Sequence, residues 1–189
     1  MEEKISGLLI QAFPYLGKQK ILKVFTSEQG LLTLLAKPQI NGILTSPFVL
    51  AEWVIKTTSR QVYPLQDGTL LDDFGALKEN FGRLMAAGQM ANDLLKTQMP
   101  GKPAAEAFAL VTACFRKLPL FQEPRLLAAA FRLKLLNVEG MLNENDLSSP
   151  FLQTLGLSRS FQQIAGLSFQ SEEIEQVNLL FETQIKSTA

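Results

Sequence analysis

The hydrophobic period of the chain changes near Asp72–Asp73, and that change limits what it can fold into. Before this point apolar residues alternate or form short runs between turn residues. After it they recur three and four residues apart. Ile5 to Phe13 is an apolar stretch ended by Pro14, and Gln19 to Thr26 alternates Ile21, Lys23 and Phe25 against Leu22, Val24 and Thr26. Such β-branched and aromatic content suits a half-buried strand. Ser27-Glu28-Gln29-Gly30 reads as a tight turn in which Gly30 takes positive φ, and Leu31 to Ala36 returns as a third strand. Lys37 to Pro47, with two prolines, a glycine and an asparagine, reads as a loop. Phe48 to Thr58 and Gln61 to Leu71 predict a hairpin across Ser59-Arg60, with Asp67-Gly68 marking a bulge or second turn.

Five short strands in this space predict a small closed or partly open barrel of the OB-fold kind over residues 1–74. From Asp72-Asp73, placed to cap a helix, Phe74, Leu77, Phe81, Leu84, Met85, Ala91 and Leu95 recur at helical spacing, until Met99-Pro100-Gly101 stops the run. Further helices are predicted from Glu106 to Leu118 and, with Pro124 in the first turn, through Leu136 to a stop near Gly140. Ser148 to Gly156 fits a short helix, and Ser171-Glu172-Glu173 opens a last one that buries Ile174, Val177, Phe181 and Ile185. The fold class is therefore α+β: an N-terminal five-stranded barrel followed by an all-helical domain over residues 75–189.

The chemistry that is missing narrows the function. The chain has no histidine and one cysteine, which removes Ser-His-Asp catalysis, histidine-ligated zinc and paired-cysteine zinc sites. No glycine-rich phosphate loop is present. Asp72-Asp73 reads as a capping pair, Asn143 to Asp146 as a solvated turn, and Cys114 as a buried thiol. The expectation is a binding protein that is not an enzyme and holds no metal or cofactor. The acidic start and the lack of a membrane-length apolar run predict a cytoplasmic protein with no membrane partner.

The formal net charge is zero, but the distribution is uneven. Between Leu16 and Leu65 the cations Lys18, Lys20, Lys23, Lys37, Lys56 and Arg60 stand against Glu28 and Glu52, six minus two or +4. Beyond Phe151, Arg159 and Lys186 stand against Glu172, Glu173, Glu175 and Glu182, two minus four or −2. A basic strand surface with interspersed aromatics suits a single-stranded nucleic acid. Phe25 reads as core; Trp53 fits the core and an outer stacking position equally, and joins the six cations as a candidate contact.

Tyr15 with Ile21 to Thr26, the Ser27 to Gly30 turn, Leu31 to Lys37, Pro47-Phe48, Tyr63-Pro64-Leu65 and Leu70 to Phe74, in this order, resemble the RecO family of bacterial recombination mediators. Phe131 to Leu136 followed by Gly140 is similar to the helix that precedes the family's zinc module. The resemblance implies an OB barrel and a helical domain that bind and anneal single-stranded DNA. It also implies work with RecR to load RecA onto strands coated by the single-stranded-DNA-binding protein, SSB. Arg116, Lys117, Arg125, Arg132 and Lys134 are the candidate contacts for SSB's acidic, Phe-ended C-terminal tail. The family's four metal-ligand cysteines are absent after Gly140, so the C-terminal tail is expected to replace the zinc module. A protein-interaction scaffold that kept the fold and lost DNA binding is the alternative.

Overall fold

The computed structural model describes residues 1–59 and 61–188. The chain divides into two compact units, Met1–Gly75 with Gln98–Phe108, and Ala76–Thr97 with Ala109–Ala189.

In the first unit, strands β1 (Glu2–Pro14), β2 (Lys20–Thr26), β3 (Gly30–Ala36), β4 (Val49–Lys56) and β5 (Val62–Asp72) close into a barrel ordered β1-β2-β3-β5-β4. β1 closes it by serving two neighbours. Its first part pairs with β4, from Glu2↔Lys56 to Leu9↔Val49, and its second with β2, from Gly7↔Thr26 to Pro14↔Lys20. A register shift between Leu9 and Gln11 bends the strand between them, as bulges do. Gly7 sits where both pairings overlap; a Cβ there would lie 2.4 Å from Val24 Cγ1 and 3.1 Å from the Phe25 carbonyl oxygen. β3 and β5 run parallel through Thr33↔Val62 to Leu35↔Pro64.

Alternation decides what lies inside. Ile5, Leu9, Leu22, Val24, Leu34, Val49, Ala51, Trp53, Ile55 and Leu65 form the barrel core. The β2–β3 turn forms as predicted, with Gly30 at φ 63°. Only glycine fits there, because a Cβ would lie 2.3 Å from the Met99 carbonyl oxygen. That contact arises because Gln98–Phe108 returns along the turn. Leu31 N–H donates to the Met99 oxygen (3.3 Å), Gly101 N–H to Gln29 (2.8 Å) and Ala104 N–H to Ser27 (2.8 Å). A split at residue 74 alone places this segment with the helices, whereas these bonds tie it to the barrel. Phe25 is fully buried, on the outer face of its strand, with its ring 5.9 Å from that of Phe108.

The helices are α1 (Gly75–Lys78), α2 (Phe81–Thr97), α3 (Ala105–Lys117), α4 (Pro124–Val138), α5 (Pro150–Leu157), α6 (Phe161–Ala165) and α7 (Ser171–Thr188). The single helix predicted from Phe74 is two. Phe74 has φ 48°, outside the helical region, and Asn80 caps a new start by accepting from Arg83 N–H at 3.1 Å. α2 buries Ala86, Ala87, Met90, Ala91 and Leu94, so its core face is rotated from the Phe81 and Met85 stripe, which is exposed.

α4 is buried almost all round, from Leu126 to Leu136 apart from Lys134, and α2, α5, α6 and α7 pack against it. Its end is a Schellman motif: Gly140 at φ 69°, its N–H on the Asn137 oxygen (3.1 Å) and Met141 N–H on the Leu136 oxygen (2.8 Å). After Gly140 come α5, capped by Ser149, the short α6, which sequence periodicity missed, and α7, whose Val177 and Phe181 are fully buried.

Candidate nucleic-acid interface

Strand register separates the predicted cations at the β2–β3 pair: Lys23 lies on its outward face, whereas Lys20 has the inward parity of Leu22 and Val24 at the end of the barrel. Lys20 opens β2 opposite Ala36, and Lys37 is the next residue after that partner. Lys18 lies in the tight β1–β2 turn, where Tyr15 N–H donates to the Gln19 oxygen at 2.8 Å and both Gly17 and Lys18 take φ 63°. Lys23 stands in a row with Gln11 of β1 and Thr33 of β3. Its Nζ donates to Thr33 Oγ1 at 2.8 Å, and Lys20 Nζ donates to Thr45 Oγ1 at 2.9 Å. Threonine hydroxyls position the two ammonium groups without neutralising them. Among the described residues, none of these four lysines is in an ion pair.

The other two predicted cations belong to the β4–β5 connection. Lys56 ends β4, exposed, opposite Glu2. The chain then leads into Val62, which pairs with Thr33, the residue that holds Lys23. The two connections that flank the β2–β3 face of an OB-type barrel are those that usually hold oligonucleotides. Arg60 falls outside the described residues.

Trp53 is a correction. It is fully buried in the barrel core, and its Nε1 donates to the Gly7 carbonyl oxygen at 3.0 Å. It pairs with Ile5 and Gly68 on the inward register, so no base can reach its ring. The aromatics open to solvent beside the lysines are Phe13 and Tyr15, 41% and 51% exposed. Phe13 lies in a row with Ile21 and Leu35, next to the row of Lys23. Two signals mark them in the sequence: Phe13 shares the outward parity of Gln11, and Tyr15 stands two residues before the turn glycine Gly17.

In the helical unit the five predicted cations separate. Arg116 and Lys117 are exposed at the end of α3. Arg125 is exposed but engaged, 3.5 Å from Glu123 and with its guanidinium 5.9 Å from the Phe169 ring centre. Arg132 and Lys134 are corrections as tail contacts. Arg132 is buried: Nε donates to Asp93 Oδ2 (2.8 Å), Nη2 to Asp93 Oδ1 (3.0 Å) and Nη1 to Asn178, with the Phe181 ring 5.1 Å away. Lys134 donates to the carbonyl oxygens of Gly156 and Ser158, and burial lowers its pKa. Both cations hold helices together, and an incoming carboxylate would have to displace those bonds.

The residues weighed for chemistry have structural partners. Asp72 Oδ1 accepts from Phe74 N–H and Asp73 Oδ1 from Gly75 N–H, each at 3.0 Å. Asp146 Oδ2 accepts from Asn143 N–H at 2.8 Å within a solvated turn. Burial pushes the Cys114 thiol up to about 12. Among the described residues no group of three or more potential ligands gathers for a metal. An open cleft of about 500 Å³ at the end of α4, lined by Asn137, Asn143, Asn145 and Gln153, includes none of the predicted contacts. No described helix is long and apolar enough to cross a membrane.

No protein-family model matches the chain. Curated proteins do. The DNA repair protein RecO of Chlamydia pneumoniae is 30% identical over 148 residues, covering 76% of this chain and 58% of the relative. That of Chlamydia muridarum is 28% identical over 76% of this chain and 63% of the relative, and that of Anaeromyxobacter sp. (strain K) 23% over 76% and 59%. The chain thus spans about three fifths of the length of the curated relatives it matches.

Proposed function

We propose, on the RecO family assignment that these relatives support, that the protein is a non-catalytic mediator of DNA repair. It binds single-stranded DNA along the β2–β3 wall of its barrel and promotes annealing of complementary strands. The observation that carries this reading is outward-facing Lys23, with Lys18 and Lys37 at the same end of β2 and β3, none of them in an ion pair among the described residues, beside exposed Phe13 and Tyr15. The lysines attract the phosphates and the two rings stack bases, each stack worth about 1–3 kcal/mol whatever the base. Lys56, exposed at the end of β4, extends the contact, and Arg60 is a further proposed contact. RecR and SSB are its protein partners and the cytoplasm its compartment. Arg116, Lys117 and Arg125 remain the contacts for the acidic SSB tail, a carboxylate-binding chemistry suited to arginine.

The test pairs fluorescence anisotropy on labelled oligothymidine with an annealing assay on complementary strands, using wild type and Phe13→Ala/Tyr15→Ala. Binding at low salt, lost at high salt and weakened at least tenfold in the double variant, supports the reading. Flat titrations at low salt with no annealing refute it. The scaffold alternative draws on the Lys37–Pro47 loop, which has one basic residue, and on the acidic stretch beyond Phe151. It predicts those flat titrations together with intact binding of an SSB-tail peptide.

A further inference from the structure

β5 changes neighbours along its length. Its pairing with β3 ends at Pro64, whereas its pairing with β4 runs on from Leu65↔Ile55 to Asp72↔Leu50. From Leu65 onward the other edge of the strand pairs with no described strand, and Leu44 of the β3–β4 connection packs beside Gly68. Register shifts near Gln66 and Leu71 frame a regular stretch, Asp67 to Leu70, paired with Val54 to Ala51. Within it, Gly68 N–H is engaged by its neighbour's carboxylate, Asp67 Oδ1, at 2.8 Å. Leu70 and Leu71 beside it are 38% and 56% exposed. Of the devices that blunt an exposed sheet edge, Gln66 to Asp72 carries the two register shifts and its aspartates but no lysine or proline.

We propose that this open edge of β5 receives an extended, basic strand from a protein partner, by β-strand addition. Charge selects the occupant. From Gln61 to Leu77 the chain carries Asp67, Asp72 and Asp73 and no lysine or arginine. A second copy of β5 would bring those carboxylates against their like, and a nucleic acid or an acidic tail would be repelled. An incoming strand replaces the side-chain bond on Gly68 N–H with a main-chain carbonyl, which frees the Asp67 carboxylate for a lysine or arginine of the partner. Leu70 and Leu71 offer apolar contact to alternate side chains, the usual source of specificity in this mode.

The experiment titrates the full chain, labelled for amide NMR, with an octapeptide of alternating valine and lysine. The matched valine–glutamate peptide is the comparison. The basic peptide is expected to shift and protect amides between Leu65 and Asp72, and the acidic one to bind at least tenfold more weakly. Leu71→Lys and, separately, Asp67→Lys should each weaken the basic peptide at least tenfold while the rest of the amide spectrum stays in place. Equal binding of both peptides, undiminished binding to both variants, or no response in β5 at millimolar peptide overturns the proposal. β5 shifts that follow protein concentration alone and vanish in Leu71→Lys also overturn it, giving the edge to a second copy. The readout is independent of DNA, so either reading can fail without the other.

Discussion

The guanidinium of Arg132 on α4 grips the Asp93 carboxylate on α2 through two hydrogen bonds, of 2.8 and 3.0 Å, with both side chains buried. Burial raises the Asp93 pKa, and the bonds and charge of Arg132 work against that rise. A buried pair adds little net stability when intact, but removing one partner leaves a charge without compensation. Arg132→Met is therefore expected to cost about 3–5 kcal/mol in urea denaturation. The sign of the pH dependence follows. With Arg132 gone, the folded-state pKa of Asp93 stands further above its unfolded value. The deficit of the variant should then grow as pH rises from the ordinary carboxylate range toward that folded value, and level off above it. Adding Asp93→Asn should remove most of this dependence.

Trp53 is the one tryptophan in the chain, so it reports on the barrel core alone. Its emission should be blue-shifted, resistant to iodide quenching, and unchanged by saturating single-stranded DNA. Trp53→Phe strands the Gly7 carbonyl oxygen that now accepts from Nε1, with an expected loss of about 1–3 kcal/mol. Quenching on DNA addition would place the ring at the contact surface instead.

The Cys114 thiol, with burial holding its pKa at about 12, is expected to stay unmodified by a disulfide reagent at pH 8 in the native protein. It should react at the rate at which the helical unit opens. Stoichiometric labelling within seconds contradicts that burial.

A weaker pH effect belongs to Glu182, whose carboxyl is held below the usual glutamate range by its hydrogen bond from Lys96, partly offset by burial. The folded pKa is depressed, so the stabilisation is complete above the unfolded value and is lost as pH falls through the folded one. Both side chains are over a third exposed, at 36% and 40%, so solvent screens the pair and the contribution is below about 1 kcal/mol. Lys96→Gln should flatten the acid limb of the stability curve as pH falls below the unfolded glutamate value, an effect that 1 M salt also produces. An unchanged limb at low salt contradicts it.

Much of the barrel is legible locally. The alternation from Ile21 to Thr26, the Gly30 turn and the β4–β5 hairpin are short-range patterns, and each strand forms within a few residues of where alternation places it. Long-range closure is less so. The pairing of β1 with β4 needs the bulge after Leu9, and the return of Gln98–Phe108 along the β2–β3 turn depends on backbone bonds across the barrel. The candidate site divides the same way. Lys18, Lys20, Lys23 and Lys37 sit close together in the chain and read as one basic strand surface, but alternation gives Lys20 the inward and Lys23 the outward parity. Arg132 and Lys134 resemble any cation on a helix until their partners are known: Asp93 is 39 residues away, and the Gly156 and Ser158 carbonyl groups 22 and 24. Trp53 misleads for a related reason: the carbonyl group that satisfies its N–H is 46 residues distant.

The most direct test of the central claim is the salt dependence of single-stranded DNA binding, compared between wild type and Lys18→Gln/Lys23→Gln/Lys37→Gln. Each phosphate neutralised contributes about −0.7 to the log–log slope. The triple variant should therefore bind more weakly at low salt, with a slope shallower by about 2. A slope identical to wild type, or wild-type protein that does not bind at low salt, would contradict the assignment of the β2–β3 wall as the phosphate-binding surface.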